Sequence, residues 1–122
     1  MDTMYKYRVK EQEYLIYDLN DNPADLDGRM VRTICAQNFG LGTMGVLAGP
    51  VFYGGHMTMT HILPDGSSVN LSEESRMVAD AYLVNAGYLK TRKHEEEDVV
   101  LAGKVYLYMD LGHQSQAEIG AA

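Results

Sequence analysis

Met57, Met59 and His61 alternate along one short apolar run. Residues two apart in a strand share a face. Two thioethers and an imidazole are donors that a soft copper ion takes. The same spacing also describes an apolar core face with His61 near its edge, and that is the expectation, with no metal. His56 stands an odd number of positions from His61, so the two cannot chelate along one strand. The run His94-Glu95-Glu96-Glu97-Asp98 offers carboxylates to a cation, although consecutive acids more often form a solvated turn. Cys35 falls on the apolar stripe of a helical segment, and nothing nearby in sequence would favour its thiolate. It reads as a packed thiol. Ser72 lacks the G-x-S-x-G frame of a nucleophile elbow. It precedes Glu73 and Glu74, as a helix N-cap followed by two acids suited to the macrodipole would.

The elements that would position these groups follow from periodicity. Tyr5, Tyr7 and Val9 alternate with Lys6, Arg8 and Lys10, which predicts a half-buried strand. Tyr14 to Leu19 predicts a second, and Asn20-Asp21-Asn22-Pro23 a turn. Leu26, Met30, Val31, Ile34 and Cys35 fall at helical spacing, with Asn38 or Gly40 as the stop. Gly45 to Gly49 and Val51 to Tyr53 read as short apolar runs broken by Pro50 and by Gly54-Gly55. His56 to Leu63 predicts a strand, and Pro64-Asp65-Gly66 a hairpin turn into Ser68 to Leu71. The longest helix should start near Ser72, carry Met77, Val78, Ala81, Tyr82 and Val84 at helical spacing, and end at Gly87. Val99 to Ala102 and Val105 to Leu111 read as strands joined by a Gly103-Lys104 hairpin. The segment from Gln114 to Ala122 reads as a small, polar tail that frays. One α+β domain results, an antiparallel sheet with one main helix, spanning residues 1–113 before the tail at 114–122.

Composition narrows the function classes. The chain has 122 residues, enough for one compact domain with a real core. A net charge of −7 argues against nucleic-acid binding, which leaves a basic footprint. The single cysteine excludes an internal disulfide and suits a reducing compartment, so a cytoplasmic location is expected. No charged residue occurs from Thr33 to Pro64, but the apolar stretch Met44 to Gly55 is too short for a membrane helix. The N-terminal residues are polar and unlike a signal peptide, so no membrane association is expected.

The same residues carry a family pattern. Arg32-Thr33-Ile34-Cys35, followed by Asn38-Phe39-Gly40-Leu41-Gly42-Thr43-Met44-Gly45-Val46-Leu47, resembles R-x-[IL]-C-x-R-x-F-G-[IL]-G-A-D-G-[IL]-L of diaminopimelate epimerase. Asp65-Gly66-Ser67-Ser68-Val69-Asn70-Leu71-Ser72 resembles the family's D-G-S-E-[VA]-E-M-C. Tyr5-Lys6-Tyr7 and Tyr14-Leu15-Ile16-Tyr17-Asp18 resemble its first hairpin, and Met109-Asp110-Leu111-Gly112 the strand that closes its N-terminal lobe. The resemblance implies a lobe in which a bent antiparallel sheet wraps around a central helix. It implies two such lobes facing each other across a cleft, each giving one cysteine as acid or base, without a cofactor.

Departures gather at the site positions. Ser72 stands at the family's catalytic cysteine, and Ser72-Glu73-Glu74-Ser75 replaces its C-G-N-G. A hydroxyl there is no base without a partner. The two family glycines, which let helix-terminal N–H groups approach a substrate carboxylate, become Glu73 and Ser75. Gln12 falls at the asparagine of H-G-x-G-N-D, and Leu63 at the asparagine before the hairpin turn. Gln12, Leu63, Glu73, Glu74 and Ser75 therefore hold substrate-binding places without the matching chemistry. The expectation is a non-catalytic, single-lobe relative acting as an interaction or scaffold module, natural or engineered, as a homodimer or beside a second lobe. One alternative is an isomerase built from two lobes with Glu73 or Glu74 as base, since relatives among phenazine-biosynthesis isomerases carry a carboxylate at this place. Another is an N-terminal fragment of a longer epimerase-like chain.

Overall fold

The computed structural model describes residues 2–22, 25–36, 43–90, 99–109 and 117–120. Strand β1 (Asp2–Val9) turns tightly through Lys10 and Glu11 into β2 (Gln12–Asp18), with Val9 opposite Gln12. Helix α1 (Gly28–Ile34) follows, then β3 (Thr43–Tyr53), β4 (His56–Ile62) and the short β5 (Ser68–Val69). Helix α2 (Glu73–Asn85), β6 (Val99–Met109) and β7 (Ala117–Gly120) complete the order. The strands form one sheet in the order β5-β4-β3-β2-β1-β6-β7.

Strand β2 is buried on both faces because each face meets a different helix. Leu15 and Tyr17 join Val31, Ile34 and Cys35 on the α1 side. Tyr14 and Ile16 join Val78, Ala81, Tyr82 and Leu83 on the α2 side. One helix therefore packs on each face, an α+β fold with a single sheet.

The sheet is mixed, which corrects the expectation of an antiparallel one. Strands β2 and β3 run parallel, Leu15 opposite Val46 and Ile16 opposite Leu47, while the other neighbours are antiparallel. The chain between them carries α1, the long crossover a parallel pair requires. Strand β3 also runs on through Pro50, where two runs were expected. Its pairing with β4 shifts between Ala48 and Val51 to absorb the extra residue.

The Gly103-Lys104 hairpin does not form; β6 is continuous there. Lys6 faces Gly103 and Tyr7 faces Leu101, so Ala102 is a bulge along the long edge of β1. A two-residue hairpin needs positive φ, and the described positive-φ residues do not include Gly103 or Lys104. Within the expected tail, residues 117–120 form β7, paired antiparallel with β6. Among the described residues, no helix is long and apolar enough to cross a membrane.

Candidate functional site

Helix α2 begins as its sequence requires. Ser72 is the N-cap with extended backbone, and its Oγ accepts from the Ser75 N–H at 3.1 Å. Ser75 Oγ accepts in return from the Ser72 N–H at 2.7 Å, closing a reciprocal capping box with serine at the third position. The two hydroxyl oxygens lie 3.1 Å apart. Ser75 is fully buried, so its hydroxyl is committed to this turn and is no part of an open cradle.

Glu74 reaches from this turn to the sheet. Its Oε1 accepts from the Tyr14 hydroxyl at 2.6 Å, tying the start of α2 to β2. Burial, and after it the bond to Glu74, holds the Tyr14 phenol well above its ordinary value, so it stays a neutral donor. The Tyr14 ring stands 5.7 Å from the His61 ring. His61 Nε2 donates to the Met44 carbonyl oxygen at 2.6 Å, which fixes the proton on that nitrogen. With Met59 in the apolar cluster facing α2, the Met57–His61 face is core, as expected.

The other anticipated positions lie on three different elements. Gln12 is the first residue of β2, half-buried opposite Val9. Leu63 sits in the β4–β5 turn, donating to the Ser67 carbonyl at 2.8 Å and accepting from Gly66 N–H at 2.8 Å. Glu73 is exposed on the first turn of α2. Cys35 is buried at 3% exposure, and that burial pushes its thiol up to about 11. This is the reverse of what a nucleophile needs. The His94–Asp98 run, and Asn38 to Gly42 of the motif segment, lie outside the described residues.

Sequence reasoning missed two groups. Tyr14 was read as a strand residue only. A second cluster forms around Asp18, 1% exposed at the end of β2. The hydroxyls of Tyr82 and Tyr88 both donate to Asp18 Oδ2, the latter at 2.9 Å, and the Asn20 N–H donates to Oδ1 at 2.8 Å. An acid closing an otherwise apolar strand, Tyr14 to Asp18, is the one local hint of it.

The cap geometry sets an expected result. Ser72→Ala should lower stability by about 1 kcal/mol, the usual cost of a lost N-cap. Ser72→Asp, which keeps an acceptor, should stay within about 0.5 kcal/mol of the parent. Denaturant unfolding of both variants measures this; an alanine variant as stable as the parent would remove the capping role.

No family model matches the chain. A curated diaminopimelate epimerase 2 from Nostoc sp. (strain PCC 7120) is 29% identical over 119 residues, which is 95% of this chain and 41% of that relative. The chain thus spans about two-fifths of the relative's length, and the match runs almost end to end in this sequence. An α+β fold with one sheet, and the motifs that lead into the α2 cap, agree with that likeness: the chain resembles a single lobe of diaminopimelate epimerase.

Proposed function

We propose that this chain is a non-catalytic epimerase-like lobe that acts by association, most simply with a second copy of itself. The reciprocal cap carries this reading: the Ser72 hydroxyl, at the place of the family cysteine, is engaged with Ser75. Moving a proton from one face of an α-carbon to the other needs a base and an opposing acid. An alcohol is no base without a partner, the Ser72 hydroxyl is engaged with Ser75, and Glu74 is held by Tyr14. Glu73 and Glu74 also place negative charge where a substrate carboxylate would meet the helix N-terminus.

Solvent exchange tests the reading. Diaminopimelate and a panel of α-amino acids incubated with the purified chain in deuterium oxide should keep their α-protons, as in buffer alone. Exchange that disappears in Glu74→Gln but survives in Ser72→Ala would replace this reading with an isomerase using Glu74 as base. Light scattering at about tens of micromolar, a concentration that populates ordinary specific pairs, should return the mass of a dimer. A monomer would count against self-association.

The coverage favours one further reading, a lobe of a longer chain, since this sequence matches only 41% of its relative. The discriminating observation is the open reading frame beyond Ala122. A second epimerase-like segment there would make the partner lobe covalent rather than a second copy.

A further inference from the structure

A cavity of about 280 Å³ opens beside the end of α2, away from the cap. Tyr5, Tyr7, Tyr82 and Tyr88 wall it, with the Asp18 carboxylate and Asp21 among its lining. From these groups we infer that the cavity binds a small organic ammonium ion.

Three features converge on a cation. The first is the buried charge. The donors on the Asp18 oxygens are the Tyr82 and Tyr88 hydroxyls and the Asn20 N–H, all neutral. They satisfy the carboxylate oxygens without bringing a positive charge to them. The Tyr88 oxygen already accepts from Asn20 Nδ2 at 3.0 Å, and the Tyr82 oxygen, which donates to Asp18, keeps lone-pair capacity to accept from an ammonium N–H. Burial, then the bond to Asp18, holds the Tyr82 phenol well above its ordinary value, so it remains such a donor.

The second feature is the aromatic wall. The Tyr5 and Tyr82 rings are 5.5 Å apart and tilted, and Tyr7 meets Tyr82 edge-on at 6.2 Å. Ring faces attract cations through their quadrupole. The chain displays this affinity itself, since the Lys104 ammonium stands 5.8 Å from the centre of the Tyr5 ring. The third feature is the helix. Asn85 and Ala86, the last residue and the cap of α2, border the cavity. The last turn of α2 holds no basic residue, so no side-chain cation of the helix meets the negative end of its dipole, although the Tyr82, Leu83 and Val84 carbonyls accept backbone N–H groups. None of the described lining residues is basic. The volume suits an alkylammonium of a few carbons, just below the range of ordinary ligand pockets.

Titration of the isotopically labelled chain with propylammonium chloride, and separately with 1-butanol, a neutral alcohol one methylene longer, tests the inference. Propylammonium should shift the amide signals of Asp18, Tyr82 and Ala86 and saturate, and butanol should bind at least tenfold more weakly. Asp18→Asn should weaken propylammonium at least tenfold. Because Asp18 is buried and could also cost stability, two rim variants accompany it. Leu101→Lys, at a half-exposed lining residue, places a fixed cation at the mouth and should lower affinity tenfold or more. Asp21→Asn, exposed on the same rim, should lower it about threefold. Equal shifts with butanol, or rim variants that bind propylammonium as the parent does, would overturn the assignment.

Discussion

The unfolding free energy should begin to fall as the pH passes 9 and should collapse above 10. Three buried groups set this window. The Cys35 thiol moves from an ordinary 9.0 up to about 11 because burial disfavours the thiolate. The phenols of Tyr14 and Tyr82 are both held above their ordinary 10.0, chiefly by burial and then by donation to Glu74 and Asp18. In the unfolded chain these groups lose their protons near their ordinary values. In the folded protein they keep them. At high pH the unfolded state therefore binds fewer protons, and stability falls as pH rises. Their contribution is complete below pH 9 and is lost progressively above it. Each such group gives a slope of about 1.4 kcal/mol per pH unit. One group acts between 9 and 10. Between 10 and 11 all three act, so the slope there should approach about 4 kcal/mol per pH unit, and the two phenols continue the fall above 11. Against a typical stability of about 5–15 kcal/mol, unfolding should follow within one to a few pH units. Urea midpoints at pH 8, 9, 10 and 11 give the curve, and Cys35→Ala should flatten its first part. A midpoint unchanged from pH 8 to 10.5 would contradict the burial of all three.

What could be read from the sequence was local. The Ser72 cap, the acids after it and the Gly87 stop lie within one helix, and α2 runs between them as expected. The Pro64-Asp65-Gly66 turn is equally self-contained, and Gly66 has the positive φ such a turn needs. Strand direction was not legible, because alternation reads the same forwards and backwards; the parallel β2–β3 pair depends on where α1 delivers the chain. Gly103-Lys104 suits a turn or a paired strand, and only its register with β1, which puts the bulge at Ala102, decides for the strand. The polar groups at both ends of α2 were hidden for another reason. Tyr14 and Glu74 are 60 residues apart, Asp18 and Tyr82 64, and Asp18 and Tyr88 70. No periodicity in a single chain connects residues at such distances. The anticipated site positions came from the family resemblance alone, and what the structure places at the start of α2 is the reciprocal serine cap.

Gly45→Ala should be strongly damaging, and this explains why this glycine of the family motif remains while Thr43 and Met44 differ from it. The pairing of β2 with β3 slips between Glu13 and Leu15, so β3 carries one extra residue beside Gly45. Gly45 takes up that irregularity with φ +107, in the region that favours glycine. A Cβ there would also fall against the Ile62 carbonyl oxygen and 3.0 Å from the Leu63 Cα, backbone at the end of β4 and in the turn that follows it. Backbone cannot rotate aside as a side chain can. Strain at such a φ costs on the order of 1–3 kcal/mol, before any displacement of β4. Displacing β4 moves His61 away from the Met44 carbonyl and the Tyr14 ring, and so loosens the floor beneath the α2 cap. A total loss of about 3–5 kcal/mol is expected, the upper end for single substitutions. Gly54→Ala makes the control: its φ is also positive, at +56, but its Cβ would meet nothing within 4 Å. That variant should lose only about 1 kcal/mol, the strain without the clash. Equilibrium unfolding in urea compares the two, and similar losses in both would show that the contact with β4 is not what makes Gly45 necessary.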